Sequence, residues 1–207
     1  SSVTADGVNF SIAAPHAKNV ELLIFKDEND AYPTETISFD HKNRSGDYWH
    51  VELEGLTEGA LYGYKLSNKQ NKDKVGTLVL DPCARGITGW KKYIRTQQSN
   101  YSKGYSHFLK SVVTDRDCFD FKSHPRPKHA WNKTIIYELH VGGFTKNQDS
   151  NISDSKKGTF IGLIEKIPYL KHIGITSIEL LPVFAFDAFD APEGLKNYWG
   201  YSPINWF

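Results

Sequence analysis

The sequence predicts a mixed fold, with an immunoglobulin-like β-sandwich in its N-terminal part and a parallel β/α segment at its C-terminal end. Three observations predict it. Short alternations of apolar and polar residues recur up to about residue 82. The pattern loses its regularity between residues 83 and 133. From Lys133, two compact apolar runs enclose a stretch with apolar residues at helical spacing, which is typical of a βαβ unit.

Four alternating runs predict the sandwich, and turn-forming residues separate them, including a turn at Asn68–Asp73. Several short strands at such spacing, without a long helical pattern, favour two packed antiparallel sheets. The runs are GVNFSIAAP, NVELLIF, DYWHVEL and LYGYKL, with inward positions predicted at Val8, Phe10 and Ile12, at Val20, Leu22 and Ile24, at Trp49, Val51 and Leu53, and at Tyr62, Tyr64 and Leu66.

The C-terminal segment begins with an almost continuous apolar strand around Tyr137, a pattern typical of strands that are buried on both faces. A helical pattern follows, in which Pro168 predicts a break or a restarted helix with proline in its first turn. Gly174 stands where a left-handed helix cap is expected. The apolar positions are Ile135, Ile136, Tyr137 and Leu139 in the first strand, Leu163, Ile164, Ile167, Leu170 and Ile173 in the helix, and Ile178, Leu180, Leu181 and Val183 in the second strand.

Composition excludes several functions. Lys plus Arg (25) nearly equals Asp plus Glu (24), so no net field favours nucleic acid or an anionic membrane as a partner. Apolar runs are too short to span a bilayer, and the N-terminus lacks a signal-peptide pattern. Cys83 and Cys118 have no partner at ligand spacing and are expected to be reduced thiols of a cytosolic protein. We predict no cofactor, and no metal site at His124 and His129, where no carboxylate or cysteine lies at ligand spacing.

Three C-terminal segments carry a family resemblance: YELHVGGFT (137–145), GITSIELLP (174–182) and NYWGYSP (197–203). They resemble the opening of the α-amylase superfamily barrel, glycoside hydrolase family 13, and especially its isoamylase or glycogen-debranching branch. Upstream, GVNFSIAAPHAKNVELLIF, GDYWHVELEGLTEGALYGYKL and LVLDPCARGI resemble the carbohydrate-binding module of family 48. DPCAR stands where a DPYAR-like sequence is usual. The resemblance implies a hydrolase that cleaves α-1,6-glucosidic branch linkages by a retaining mechanism with two carboxylates.

The resemblance also implies an incomplete catalytic domain. A (β/α)8 barrel takes about 250 residues, whereas 74 residues run from Thr134 to Phe207. We therefore expect a sandwich at 1–110, a linker at 111–133 and the first β/α units of a barrel at 134–207. The superfamily's catalytic carboxylates lie on later strands, so we expect no catalytic residue in this chain and no hydrolysis by it alone. Because Met is absent even at position 1, Ser1 is not expected to be the natural start.

Aromatic residues after the two strands are the candidate substrate-binding residues. By resemblance, Tyr201 matches the tyrosine that stacks under the sugar at the cleaved bond, with Tyr198 and Trp199 beside it. A sugar's C–H face packs on an aromatic face while its hydroxyls bind polar groups at the edge. His140 can donate a hydrogen bond to substrate. The alternative for each is a structural role, in packing the loop or holding a turn.

Other carboxylates and aromatic residues have mainly structural interpretations. Asp187, Asp190 and Glu193 are expected to solvate a long loop rather than to form a catalytic pair or a calcium site. Glu138 and Glu179 lie within the strands and are expected to be buried and paired with polar groups of the full barrel. In the sandwich, the aromatic residues are either core or a glucan-binding platform. They are Tyr48, Trp49, Tyr62 and Trp90.

Three alternatives to a debranching enzyme stay open. Trehalose-releasing hydrolases and glycogen branching enzymes of the same superfamily share much of this pattern. A non-catalytic glucan-binding or regulatory module belongs to another class. All of them predict an α-glucan as the partner, such as glycogen or an amylopectin-like polymer. The sequence does not predict an oligomeric state, and the residues that follow Phe207 would discriminate enzyme from binding module.

Overall fold

The computed structural model describes residues 1–67, 77–95, 104–116 and 119–206. It divides into two compact units, one of residues 1–119 with 205–207 and the other of residues 120–204. The turn predicted at Asn68–Asp73 and the thiol of Cys118 lie outside the described residues. The predicted domain boundaries (1–110, 111–133 and 134–207) stay a prediction, because compactness does not establish which segments fold independently.

The first unit consists of short strands and turns, as the alternating sequence predicts. Its strands are β1 (Ser2–Val3), β2 (Gly7–Ala13), β3 (Asn19–Phe25), β4 (Glu35–Ser38), β5 (Arg44–Ser45), β6 (Tyr48–Glu54), β7 (Leu61–Ser67), β8 (Leu78–Val79), β9 (Gly86–Thr88) and β10 (Lys110–Val112). A 3₁₀ turn at His41–Asn43 precedes β5, with the Asp40 side chain as its cap.

These strands form two antiparallel sheets. The smaller sheet has the order β1-β2-β6-β5, and the larger has the order β4-β3-β7-β10-β9, with β8 also paired to β7. The register between β2 and β6 sets Phe10 opposite Val51 and Ile12 opposite Trp49. Since side chains alternate across a strand, this register directs one apolar row of each strand into the interior.

One hydrophobic core joins the inner faces of the two sheets. Val8, Phe10 and Ile12 from β2 pack with Leu22 of β3 and Tyr62 of β7. The rings of Phe10 and Tyr62 meet edge to face, with centroids 4.9 Å apart. Packing between two sheets over one core confirms the predicted β-sandwich.

Residues near the C-terminus also belong to this unit. The buried Asn205 side chain donates hydrogen bonds to the carbonyl oxygens of Asp81 (3.0 Å) and Ala84 (2.8 Å). Asp81 is itself buried and accepts a 2.6 Å hydrogen bond from the Tyr62 hydroxyl. These contacts place residues from distant parts of the sequence in one polar network.

The outer side of the larger sheet holds a buried lysine. Lys110 lies on β10 among a second apolar cluster that includes Phe25 and Tyr105. Its Nζ donates to the carbonyl oxygens of Glu28 (2.7 Å) and Tyr105 (3.3 Å) and lies 4.8 Å from the centroid of the Phe25 ring. Burial lowers the pKa of Lys110 to about 8, although Asp30 and other acidic neighbours act in the opposite direction.

We expect the stability of the sandwich to rise between pH 8 and pH 9.5. The folded-state pKa of Lys110, about 8, lies below its ordinary value of 10.5, so in this interval the folded chain releases a proton that the unfolded chain still binds, and stability rises with pH. We expect a gain of ~1 kcal/mol, allowing for partial screening of the ammonium by solvent. Urea unfolding at several pH values, followed by circular dichroism, measures it.

The Lys110→Met variant is the control, because it keeps the aliphatic chain and should remove this pH dependence. An equal slope in both proteins would contradict the assignment to Lys110. Measurements stop at pH 9.5, since burial raises the pKa of Tyr62 and Tyr64. Phenols that ionise only in the unfolded chain reduce stability at higher pH.

The second unit contains one parallel strand pair with short helices between the strands. Leu139 pairs with Leu180 in register, and both strands run in the same direction. The elements are β11 (Ile136–Leu139), α1 (Val141–Phe144), α2 (Phe160–Glu165), α3 (Ile167–His172) and β12 (Ser177–Leu180), with 3₁₀ turns at Phe121–Ser123, Trp131–Lys133 and Gln148–Ser150.

The helix break at Pro168 is confirmed. Helix α2 ends at Glu165, and α3 restarts at Ile167 with the proline in its first turn. Gly174 follows α3 with a positive φ of 88°, and the amide of Ile175 donates to the carbonyl oxygen of Leu170 (3.0 Å). This is the expected left-handed helix cap.

Burial of the first strand on both faces is not observed. Leu139 packs with Leu163 of α2 and Leu170 of α3, but Ile136 on the other face of the sheet is 56% exposed. The physical reason is that a two-stranded sheet with helices on one side buries only that side. No helix in the described ranges is long and apolar enough to cross a membrane.

Candidate functional site

The carboxyl ends of the two parallel strands meet at one edge of the second unit. His140 follows β11 directly, and the loop that begins at Leu181 follows β12. Because Leu139 and Leu180 are opposite each other in a parallel pair, the residues after them emerge side by side. Sites on α/β folds commonly form at this edge.

His140 has a defined ring orientation. It is the N-cap of α1, and its Nδ1 accepts a 3.1 Å hydrogen bond from the Gly143 amide. A neutral imidazole that accepts at Nδ1 carries its proton on Nε2. His140 therefore offers an N–H donor while its other nitrogen holds the turn, so the structural and the ligand-binding interpretations are compatible.

His140, Tyr198 and Trp199 form one aromatic cluster. The ring centroid of His140 lies 4.6 Å from that of Tyr198 and 5.6 Å from that of Trp199, and the last two are 5.2 Å apart. A Cβ added at Gly143 would lie 2.8 Å from the Tyr198 hydroxyl oxygen, so the ring approaches α1 closely. The rings are in mutual contact while Tyr198 and Trp199 remain about half exposed.

Tyr201 is presented by a tight turn. Asn197 accepts a hydrogen bond from the Gly200 amide (3.1 Å) and donates one to the Tyr201 carbonyl oxygen (2.5 Å). Gly200 has a φ of 80°, and an added Cβ would lie 3.2 Å from the Phe186 ring. The Tyr201 ring is 57% exposed, so the turn holds its backbone and leaves the ring available for stacking.

The loop after β12 is anchored to itself by backbone hydrogen bonds. The amide of Asn197 donates to the Ala188 carbonyl oxygen (2.9 Å), and that of Ile204 donates to Ala185 (2.8 Å). Phe186 and Pro203 form an isolated bridge. This pairing sets residues 197–201 beside the end of β12.

A cavity of about 460 Å³ opens beside the aromatic cluster. His140 and Tyr198 form part of its wall, and Lys146 and Lys196 also line it. The remaining wall is mainly apolar, with Phe160, Val183, Phe184 and Phe186 among its side chains. Such a cavity has the size and mixed lining of a small-ligand site.

The loop carboxylates differ from the expectation in one respect. Asp187 is buried rather than solvating the loop, and its Oδ1 accepts a 2.8 Å hydrogen bond from the Phe189 amide. Asp190 and Glu193 are exposed. Asp187 is buried because its carboxylate caps a turn of the loop, a common role for aspartate.

The strand carboxylates also differ from the expectation. Glu138 and Glu179 are opposite each other in the register of β11 and β12, and both are exposed rather than buried. Their face of the sheet is the one that the helices leave uncovered. Within the described ranges, no group of three or more His, Cys, Asp or Glu residues is arranged to hold a metal ion.

The aromatic residues of the sandwich fall into two classes. Trp49 and Tyr62 are core, with exposures of 5% and 0%. Tyr48 and Trp90 are exposed, and Trp90 packs edge to face on Tyr93 with centroids 5.7 Å apart. Of the four candidates for a platform, the structure therefore leaves two accessible.

Some site residues were missed by sequence reasoning. Asn197 organises the aromatic turn, Gly143 permits the approach of Tyr198, and Lys146 and Lys196 line the cavity. A signal existed for the first, since asparagine directly before a glycine-containing aromatic run is a typical turn former. For the lysines no local signal exists, because 50 residues separate them in the sequence.

Comparison with known proteins gives one family match and many similar proteins. The model of carbohydrate-binding module 48 (isoamylase N-terminal domain) matches residues 1–84. The chain is 33% identical over 220 residues to isoamylase 3, chloroplastic, of Oryza sativa subsp. japonica, covering 97% of this chain and 28% of that protein. It is 33% identical over 219 residues to a glycogen debranching enzyme of Enterobacter sp. (strain 638), covering 100% of this chain and 32% of that protein.

Solved structures share the fold. Apo pullulanase from Paenibacillus barengoltzii has a TM-score of 0.71 at 21% identity, covering 98% of this chain and 30% of that one. GBS pullulanase SAP in complex with maltotetraose has a TM-score of 0.69 at 23% identity, covering 89% and 23%. The chain spans about a third of the length of the curated relatives named above. The chain is therefore similar over nearly its whole length to isoamylases and glycogen debranching enzymes, and residues 1–84 match the carbohydrate-binding module 48 family.

Proposed function

We propose that these residues are part of a debranching enzyme that hydrolyses α-1,6-glucosidic branch linkages in glycogen or a starch-like glucan. The observation that carries the proposal is the identity of 33% to an isoamylase and to a glycogen debranching enzyme over 97–100% of the chain. Because the similarity extends through both compact units, it includes the aromatic site as well as the sandwich.

We propose that β11, the helices and β12 open a (β/α)8 barrel of glycoside hydrolase family 13, preceded by a sandwich at 1–110 and a linker at 111–133. The parallel strand pair and the position of the site at the carboxyl ends of its strands support this. Apolar side chains that remain exposed on the sheet and on α2, including Ile136, Ile164 and Ile178, are surfaces that neighbouring β/α units would bury.

In this proposal the described residues bind substrate and do not catalyse. Tyr201 stacks on a glucosyl ring, Tyr198 and Trp199 flank it, and His140 donates from Nε2 to a sugar hydroxyl. A retaining glycosidase requires two carboxyl groups about 5–5.5 Å apart that flank the scissile bond. We assign that pair to later strands of the full-length enzyme, which protonate the leaving oxygen and attack the anomeric carbon.

The proposed partner is an α-glucan, and the proposed location is the cytoplasm or a plastid stroma. Names of the relatives support both, since they include a chloroplastic isoamylase and bacterial glycogen debranching enzymes. The mechanism proposed requires no cofactor, because protonation and nucleophilic attack are both performed by side chains.

The test is expression of the full reading frame that contains these residues, followed by incubation with glycogen and with amylopectin. We expect new reducing ends and linear chains, and we expect neither from the 207-residue chain alone. Release of trehalose, or transfer of chains without new reducing ends, would contradict debranching and identify one of the related activities. Retention on glycogen without any reaction would instead favour a glucan-binding module.

A further inference from the structure

We propose that the cavity beside His140, Tyr198 and Trp199 binds a phosphate monoester carried by the glucan chain. This inference rests on the proposed function, because it assigns a substrate class to the same site. The cavity, of about 460 Å³, has room for a glucosyl unit with one phosphate group.

Hydrogen-bond donors dominate the polar part of the cavity wall. Lys146 and Lys196 both line it, and His140 contributes the Nε2–H that its bond to Gly143 leaves available. The Nζ of Lys196 lies 5.7 Å from the centroid of the Phe189 ring, a contact that orients an ammonium without neutralising it. Two cations and one N–H donor around one cavity favour an anionic ligand.

Two of the side-chain acceptors in the same wall, Asn197 and Thr159, are already engaged, which leaves the Tyr198 hydroxyl. Both ends of the Asn197 amide are bonded to the turn at Gly200 and Tyr201. The Thr159 hydroxyl donates to the Lys156 carbonyl oxygen (2.7 Å) and accepts from the Gly162 amide (3.2 Å). A neutral sugar uses its hydroxyls both as donors and as acceptors, so a wall with few free acceptors suits a phosphate better than an unmodified sugar alone.

The charge of the wall is not compensated by its own residues. No aspartate or glutamate is among the residues that line the cavity, all of which lie in the described part of the chain. Two neighbouring lysines outside the cavity do have acidic partners, since Lys156 pairs with Glu165 and Lys157 with Asp154. A phosphate would therefore supply the missing counter-charge.

The apolar wall explains why we infer a phosphate attached to a sugar. Phe160, Val183, Phe184 and Phe186 offer no hydrogen bonds to a free inorganic ion. They can pack on the C–H face of a glucosyl ring, as aromatic and aliphatic walls do in carbohydrate sites. The combination of apolar wall and cations suits a phosphorylated glucosyl unit.

The test uses the full-length protein and one amylopectin that carries glucosyl phosphate esters, before and after treatment with phosphatase. We expect the untreated polymer to bind ~5–10-fold more tightly. The double variant Lys146→Gln, Lys196→Gln should remove this preference, so that the untreated and the treated polymer bind with equal affinity. Lys171→Gln is the matched control, since Lys171 is an exposed lysine on α3 outside the cavity.

Equal binding of the two polymers by the wild-type protein would overturn the inference. An equal loss of affinity for both polymers in the double variant would also overturn it, because such a loss would indicate a structural effect. Inorganic phosphate and glucose 6-phosphate are added as competitors. If inorganic phosphate competed at a lower concentration than glucose 6-phosphate, the cavity would be a site for the free anion instead. Binding and hydrolysis are measured separately, so a phosphate preference without branch hydrolysis would refute the proposed function alone.

Discussion

Trp49→Ala is expected to lower the free energy of unfolding of the sandwich by about 3–5 kcal/mol, whereas Tyr48→Ala, one residue earlier, should change it by less than about 0.5 kcal/mol. The two residues are adjacent on β6 and project from opposite faces of the sheet. Trp49 is 5% exposed and Tyr48 is 57% exposed. The pair therefore compares burial of an aromatic ring at nearly the same backbone position.

The large effect has three physical sources. The Trp49 ring is part of the core between the sheets, so its removal leaves a cavity. Its Nε1 donates a 3.1 Å hydrogen bond to the Ala14 carbonyl oxygen, which would lose its buried partner. The guanidinium of Arg44 lies 5.0 Å from the ring centroid and would lose a cation–π contact.

The measurement is amide hydrogen exchange of β2 and β6 in the 207-residue chain at increasing urea concentration. These strands pair along seven residues from Gly7 to Ala13 and belong to the first unit, so their exchange reports on the sandwich. Equal destabilisation by the two variants would contradict the assignment of Trp49 to the core and of Tyr48 to the surface.

This residue pair also shows what alternation can predict. The pattern in DYWHVEL predicts that Tyr48 and Trp49 face opposite sides, and it favours Trp49, Val51 and Leu53 as the inward row. It does not establish whether an aromatic row is core or a ligand platform, because both present the same local sequence. That distinction depends on the other sheet, whose strands lie elsewhere in the sequence.

Local signals were sufficient for the break and end of the helical segment. Proline at position 168 and glycine at 174 restrict the backbone by themselves, so the break and the C-cap could be predicted without knowledge of the fold. The burial of Ile136 could not be predicted in this way, because it depends on which elements cover the sheet. The sequence of a strand indicates what it can bury, and the number of neighbouring elements determines what it does bury.

The candidate site was predictable in its residues and less so in its arrangement. The aromatic run 197–201 and the position of His140 after a strand identify the same edge of the fold. The ring contacts unite His140 with Tyr198 and Trp199, whereas the turn at Asn197 presents Tyr201 separately. A turn has no regular repeat, so the sequence spacing of Tyr198, Trp199 and Tyr201 does not indicate which of their rings pack together.

In the proposed full-length debranching enzyme, Tyr201→Ala is expected to lower kcat/KM for branched glucan ~10–100-fold. The turn itself should persist, because Asn197 bonds to the backbone carbonyl oxygen of residue 201 rather than to its side chain. The variant therefore removes the exposed ring and leaves its support. If the ring stacks on the glucosyl unit at the scissile bond, its loss misplaces that unit relative to the catalytic carboxylates. Initial rates of reducing-end release from amylopectin measure the effect.

Two variants distinguish stacking from general surface changes. Tyr201→Phe keeps the ring and should retain most activity, since stacking uses the aromatic face. Tyr169→Ala removes a similarly exposed tyrosine from α3, on a surface away from the strand ends, and should leave kcat/KM unchanged. An unchanged kcat/KM in Tyr201→Ala would return Tyr201 to a packing role. If Tyr201→Ala were impaired together with Tyr201→Phe, the hydroxyl group rather than the ring face would be responsible, and the stacking assignment would be wrong.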